Sequence, residues 1–231
     1  FFFTLYSFTG SLTLQTYGVV IFSSFKVPIN KYHAAVLMGA VEFLGSLICI
    51  FVVRFSGKRI MALISISVVC ICNILLGIYS FCNNILYLNF GTVINSYSGD
   101  INWIPLLLLV LTAFMTHCGT KNLPWMLIGE LFSNDTRGVG CGLSTSASYL
   151  SGFAANKLYI SMVLTLSLPG VYCLYSCICI IGLLVIYFAL PETEGKTLEE
   201  IANHFNGRKK LSNKVHRKTV HCNRLNNETQ I

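Results

Sequence analysis

The chain has 231 residues, 54% of them hydrophobic and 11% charged, with a mean hydropathy of +0.67 and a formal charge of +7. A soluble domain carries about 25% charged residues, so the composition excludes an ordinary soluble fold and predicts an all-α membrane protein whose surface faces lipid. Most of the positive charge lies in a tail containing RKKLSNKVHRK, where no aromatics interleave as they would on a nucleic-acid surface, so nucleic acid is not an expected partner.

Apolar runs of about 20 residues can cross the roughly 30 Å of a bilayer's hydrocarbon core. In chain order they fall near 1–23, 34–53, 60–80, 104–130 and 169–190, with a sixth near 139–162 that Gly, Ser and Ala dilute. Charge placement supports the sixth. Of the 16 Lys and Arg, Arg54, Lys58, Arg59, Arg137 and eight from Lys196 to Arg224 occupy the second-to-third loop, the fourth-to-fifth loop and the C-terminus. Lys and Arg gather on the cytoplasmic side. The loop at Asp135 and the tail then share that side, and one crossing alone cannot return the chain to the side it left. Six transmembrane helices are therefore expected over 1–190, followed by a cytoplasmic motif with a short helix over 191–206 and a basic tail over 207–231. The tail is a solvated disordered segment or one attracted to anionic headgroups.

Eight of the ten cysteines fall within the runs, where a thiol behaves as a small apolar group, and Cys173, Cys177 and Cys179 have no His or carboxylate at ligand spacing. No metal or cofactor is expected. The opening FFF lacks a Met, a basic n-region and a cleavage site, and reads as a piece that starts inside a larger membrane protein.

The fourth run holds the most informative chemistry. CGTKNLPW, Cys118 to Trp125, lies past its middle and GELF lies at its cytoplasmic end. Pro124 removes a backbone donor and clashes one turn back, Gly119 adds flexibility, and irregular backbone at membrane depth survives only against protein or a watery cavity. Transporter helices break in this way around binding sites, and a packing kink is the alternative. Glu130 and Arg137, seven residues apart, are candidates for a charge network that holds helix ends in one conformation and releases them in another; interfacial snorkelling is the alternative.

The pattern PWxxxxELF, followed five residues on by RG, and PETEGKTLEEI at Pro191–Ile201 together resemble the sugar porter family of the major facilitator superfamily, with insect facilitated trehalose transporter-like members as the nearest subfamily. The resemblance covers about residues 1–206 and implies the C-terminal six-helix half of a transporter whose N-terminal six-helix half is missing from this chain. It implies a small polyhydroxylated solute, a lipid bilayer, a multi-pass protein of the plasma membrane and no enzymatic activity.

The same resemblance assigns candidate residues. In SFTGSLTLQTYGVVIF it puts Ser7 where a sugar-binding glutamine stands, Leu12 at an asparagine position and Tyr17 at the motif tyrosine. Gln15, close to one turn from Leu12, returns an amide to the cavity or simply packs. Ser148 falls on the fifth helix's amide position, and GTKNLPW places Gly119, Lys121, Asn122 and Trp125 beside the ligand. An intramembrane lysine is a functional-site hypothesis by default; a structural pairing of Lys121 with Glu42 or a backbone carbonyl is the alternative. In RFSGKR, Arg54 replaces the family's acid while Lys58 and Arg59 remain; these three, Glu130, Arg137 and Glu192 form the expected conformational network. Gly140, Ser144, Ser148 and Gly152 form a small-residue stripe that predicts close packing inside the bundle. Thr197 and Glu200 make a capping box for a short amphipathic helix ended by Gly207.

These features predict a facilitative solute carrier with weakened hexose selectivity, favouring another polyhydroxylated or acidic solute. A non-transporting nutrient receptor on the same scaffold and an inactive truncated product are the alternatives.

Overall fold

The computed structural model describes residues 2–88, 103–131 and 137–190. The regular structure of these residues is α1 (Phe2–Ser7), α2 (Ser11–Ser24), α3 (Lys31–Ser56), α4 (Lys58–Cys82), α5 (Ile104–Met115), a π-helical turn (Thr116–Thr120), α6 (Asn122–Leu131) and α7 (Arg137–Ala189). The side chain of Glu130, Asp135, Glu192, the expected helix after Thr197 and the basic tail lie outside the described residues.

Each apolar run of the sequence is helical, but two are interrupted. The first breaks between α1 and α2 at Gly10, whose φ of 88° is left-handed. A Cβ there would also lie 2.5 Å from Tyr175 Cδ2. The break frees a carbonyl at membrane depth, where no water is available to satisfy it. Buried Asn73 of α4 supplies the missing donor, its Nδ2 reaching Thr9 O at 3.2 Å. At the other end of α3, Gly57 with φ 84° is the single residue between that helix and α4.

Helix α7 contains 53 residues, which at 1.5 Å per residue would extend about 80 Å if straight, more than twice a bilayer's hydrocarbon core. It is not straight. Ser167 has the non-helical dihedrals φ 62° and ψ 166°, and Pro169 follows. Before the break, Ser151 meets Ser7 and Tyr159 stacks on Tyr17, so both chains advance together. After it, Tyr175 lies against Gly10 while Gly182 lies against Leu5, so the numbering runs the opposite way. The two limbs of α7 are therefore antiparallel, and Leu168 N–H ties the turn to Leu86 O at 2.8 Å.

Two apolar clusters fill the interior. One joins Phe22, Phe25, Leu76, Leu109, Tyr159 and Tyr172, and the other joins Leu5, Ile66, Leu127 and Ile186. Outward, α3 exposes Val36, Phe43, Ile50 and Phe51, as a lipid-facing helix does. Four described stretches, Lys31–Ser56, Lys58–Cys82, Ile104–Ile128 and Arg137–Phe188, are long and apolar enough to cross a membrane. The small-residue stripe departs from its expected burial. Gly140, Ser144 and Ser148 are partly exposed, and only Gly152 is buried, with Leu12 Cδ2 3.1 Å from the position a Cβ would take. At that last residue the limb meets α1 and α2, through Ser151 on Ser7 and Gly152 against Leu12.

Candidate functional site

The interruption in the fourth run sits upstream of Pro124. Lys121 N–H bonds Thr116 O at 2.9 Å, five residues back, which marks one widened π turn. Pro124 is the third residue of α6, in a helix's first turn, where backbone N–H groups have no intrahelical acceptor. The break therefore belongs to Thr116–Thr120, and Pro124 is accommodated by the new helix that follows it.

Helix α4 supports the widened turn through one hydroxyl. Ser65 Oγ donates to Met115 O at 2.7 Å and accepts from Thr120 N–H at 3.1 Å and from Thr120 Oγ1 at 2.7 Å. Such closeness requires Gly119, where a Cβ would lie 2.5 Å from Ser65 Cβ and 3.0 Å from Met61 O. Asn122 Nδ2 occupies another freed carbonyl, His117 O, at 2.6 Å. From α2, the Ser11 hydroxyl meets that of Thr116 at 2.7 Å.

The π turn presents His117 and Lys121 toward α2 and α3. His117 Nδ1 lies 2.9 Å from Ala113 O. A carbonyl can only accept, so Nδ1 carries a proton and Nε2 of the neutral ring is the acceptor. Lys121 Nζ donates to that Nε2 at 2.8 Å. Gln15 Nε2 lies 3.1 Å from the same nitrogen and donates to Glu42 Oε2 at 2.9 Å. Glu42 Oε2 stands 3.6 Å from His117 Nε2. One turn along α3 from Glu42, Gly45 allows this approach, since a Cβ there would lie 2.8 Å from Phe114 O. Four polar side chains thus converge from α2, α3 and the end of the π turn. His117 and Glu42 side chains are 6% and 17% exposed, so water does little to screen them.

Of the residues singled out in the sequence, Gln15, Lys121 and Asn122 meet at His117, and Glu42 joins Gln15. His117 is the one that sequence reasoning missed, although an imidazole inside an apolar run four residues before Lys121 was a visible signal. The rest lie elsewhere. Ser7 Oγ donates to Phe3 O and meets Ser151 Oγ at 3.2 Å, while Ser148 is partly exposed and its carbonyl accepts from Ser151. Tyr17 stacks on Tyr159 at 5.1 Å and donates to Asn156 O. Trp125 is half-exposed and meets Phe3 edge-on at 4.9 Å. Gly119 faces α4.

Among the network candidates, Arg59 Nη2 donates to Tyr187 O at 2.7 Å, and its guanidinium lies over the Tyr187 ring at 5.8 Å. This ties the start of α4 to the end of α7. Lys58 is buried, Arg54 is exposed in the last turn of α3, and Arg137 opens α7.

The arrangement offers donors, an acceptor and opposite charges in a low-dielectric interior, which suits hydrogen-bonding recognition of hydroxyl or ionic groups. Trehalose transporter 1 of Drosophila melanogaster is 26% identical over 204 residues, covering 87% of this chain and 22% of that protein. Facilitated trehalose transporter Tret1 of Bombyx mori is 29% identical over 195 residues, covering 84% of this chain and 36% of that protein. The chain thus spans well under half the length of these relatives. Among solved structures, the major facilitator superfamily proton:xylose symporter XylE bound to 6-bromo-6-deoxy-D-glucose superposes with a TM-score of 0.69 at 16% identity, covering 87% of this chain and 40% of that one. Its inward open form, from E. coli, gives 0.59 at 18% identity. The structural likeness shows that the chain shares the helical fold of these structures. The family model described as "Sugar (and other) transporter" matches residues 2–205, and the chain belongs to that family.

Proposed function

We propose that this chain is the C-terminal six-helix half of a plasma-membrane sugar porter that moves a small polyhydroxylated solute by alternating access. In this reading α1 with α2, α3, α4, α5 with α6, and the two limbs of α7 supply the six crossings. The observation that carries it is the interior constellation of Gln15, Glu42, His117 and Lys121 beside a discontinuous helix. Broken helices around a site at the repeat interface are how transporters expose polar backbone and side chains to a solute.

Substrate hydroxyls would exchange hydrogen bonds with Gln15, Lys121 and Asn122. Ser7, Tyr17, Gly119, Trp125 and Ser148 would line or shape the cavity shared with an N-terminal half. Arg54, Lys58, Arg59, Glu130, Arg137 and Glu192 would latch the cytoplasmic helix ends in one of the two conformations. No covalent step is needed, since the work is done by differential binding to two states.

The test is uptake by the protein that contains this chain, reconstituted in liposomes, of radiolabelled trehalose, hexoses, polyols and sugar acids in competition. Saturable flux of at least one of them is expected. Binding without flux would replace the transport reading with a receptor on the same scaffold.

A further inference from the structure

We propose that His117 is a proton-binding switch that releases Lys121 to an anionic polyhydroxylated solute, so that one proton and one sugar acid bind together. The proposal rests on the transport reading above and deepens it by naming a solute class and its coupling ion.

The geometry defines two incompatible hydrogen-bond arrangements. In the observed one, the neutral ring of His117 donates from Nδ1 to Ala113 O, and its single Nε2 lone pair holds the Lys121 ammonium at 2.8 Å. A proton added at Nε2 removes that lone pair. The ammonium and the imidazolium N–H are then two donors facing each other, and Lys121 must leave. The new N–H has an acceptor waiting in Glu42 Oε2, 3.6 Å away, a gap that a small ring or carboxylate shift closes. Gln15 donates to both groups while the ring is neutral, and once Nε2 is protonated its amide keeps only the bond to Glu42.

Charge balance selects the solute. With Glu42 as carboxylate, Lys121 as ammonium and His117 neutral, the cluster carries no net charge, and one proton makes it +1. Net charge at membrane depth is unfavourable, and an anion arriving at the freed ammonium cancels it. Linkage is reciprocal, so the anion must raise the cluster's proton affinity as much as the proton raises its affinity for the anion. A neutral sugar has no such reciprocal effect.

The surroundings add few competing groups. From α3, beyond Glu42, the buried Cys49 thiol packs in one apolar cluster with Cys118. From α1 comes the buried Tyr6 phenol. The α4 side meets the π turn through the Ser65 hydroxyl, and α2 presents the Gln15 amide.

The experiment uses the purified protein that contains this chain, in weakly buffered detergent solution with a pH-indicator dye. D-glucuronate is the probe, with D-glucose and trehalose as neutral counterparts. Wild type is expected to take up about one proton for each D-glucuronate bound, with affinity weakening by up to about tenfold per pH unit as pH rises past the switch. The neutral sugars should move none. His117→Gln keeps an acceptor for Lys121 and cannot gain a proton, so any D-glucuronate it binds should be bound without proton uptake and without pH dependence. Lys121→Met should abolish D-glucuronate binding.

Proton uptake that persists in His117→Gln would overturn the switch. If that variant does not fold, the wild-type measurement decides alone, since D-glucuronate binding without proton uptake also overturns it. Flux of trehalose or glucose with no D-glucuronate binding would sink the switch and leave the transport reading standing. Absence of flux for every sugar tested would remove the transport reading itself.

Discussion

Ser65 and Gly119 set the position of the widened turn. The Ser65 hydroxyl satisfies Met115 O and Thr120 N–H, and Gly119 gives it room. Gly119→Ala would place a Cβ 2.5 Å from Ser65 Cβ, an overpacking that typically costs about 1–3 kcal/mol. Ser65→Gly removes the hydroxyl's bonds to Met115 O and Thr120 N–H, worth about 0.5–1.5 kcal/mol each. The double variant removes the clash along with the hydroxyl, so its loss of thermal stability in detergent should be smaller than the sum of the two singles. Strict additivity would show that the contact does not set the turn. At this scale the sequence was only partly legible. Lys121, Gln15 and Asn122 stood out as polar groups in apolar runs, and Glu42 was available as a partner for Lys121. The hub, His117, was not identified, because its importance lies in partners on α2 and α3 that no spacing within one helix reveals.

Element boundaries depend on the same distinction between local and distant causes. The apolar runs were legible because each element must bury its backbone hydrogen bonds within itself. The sequence points to an interruption within Cys118–Trp125, from the missing N–H of Pro124 and the flexibility of Gly119; the structure places it at Thr116–Thr120, which contains Gly119 but not Pro124, and where α4 supplies a supporting hydroxyl. Pro124 stands in the first turn of α6, so Pro124→Ala should change stability by less than about 1 kcal/mol, against about 3 kcal/mol for a proline in a helix interior. A large gain in thermal stability would return the break to the proline. Ser167 offers the opposite case. Its φ of 62° with ψ 166° lies in a region that is essentially glycine's own and costs other residues about 1–3 kcal/mol. Ser167→Gly should therefore stabilise the protein in a thermal melt, by that amount less the roughly 0.5–1 kcal/mol entropic cost of glycine. Unchanged or lower stability would mean that the turn between the α7 limbs derives its shape from the Leu168–Leu86 bond and Pro169 instead.

At the scale of the whole molecule, the contacts sort the two ends of the bundle. Arg59 bonds Tyr187 O, Leu5 meets Gly182, and Arg54 and Lys58 adjoin the single-residue link between α3 and α4, so the clustered basic residues of the described structure share one end with the last turns of α7. Cys82 and Asn83 end α4 at the opposite pole, near the α7 turn that Leu86 holds. The positive-inside bias predicts that the basic end is cytoplasmic, in which case the exposed Cys82 thiol faces outward. Cys173 and Cys177 are also exposed, but they lie on a membrane-spanning limb, where lipid shields them from a charged reagent. A membrane-impermeant maleimide should therefore label Cys82 in the protein that contains this chain in sealed right-side-out vesicles, and Cys82→Ser should lower the labelling by that one site. The sequons Asn134-Asp135-Thr136 and Asn227-Glu228-Thr229 lie outside the described residues; the charge bias of the sequence predicts that they stand on the basic side and carry no glycan. Labelling that requires permeabilised vesicles, or a glycan on Asn134, would invert the bundle and place the Arg59–Tyr187 tie on the outer face, where it could not serve as part of a cytoplasmic latch.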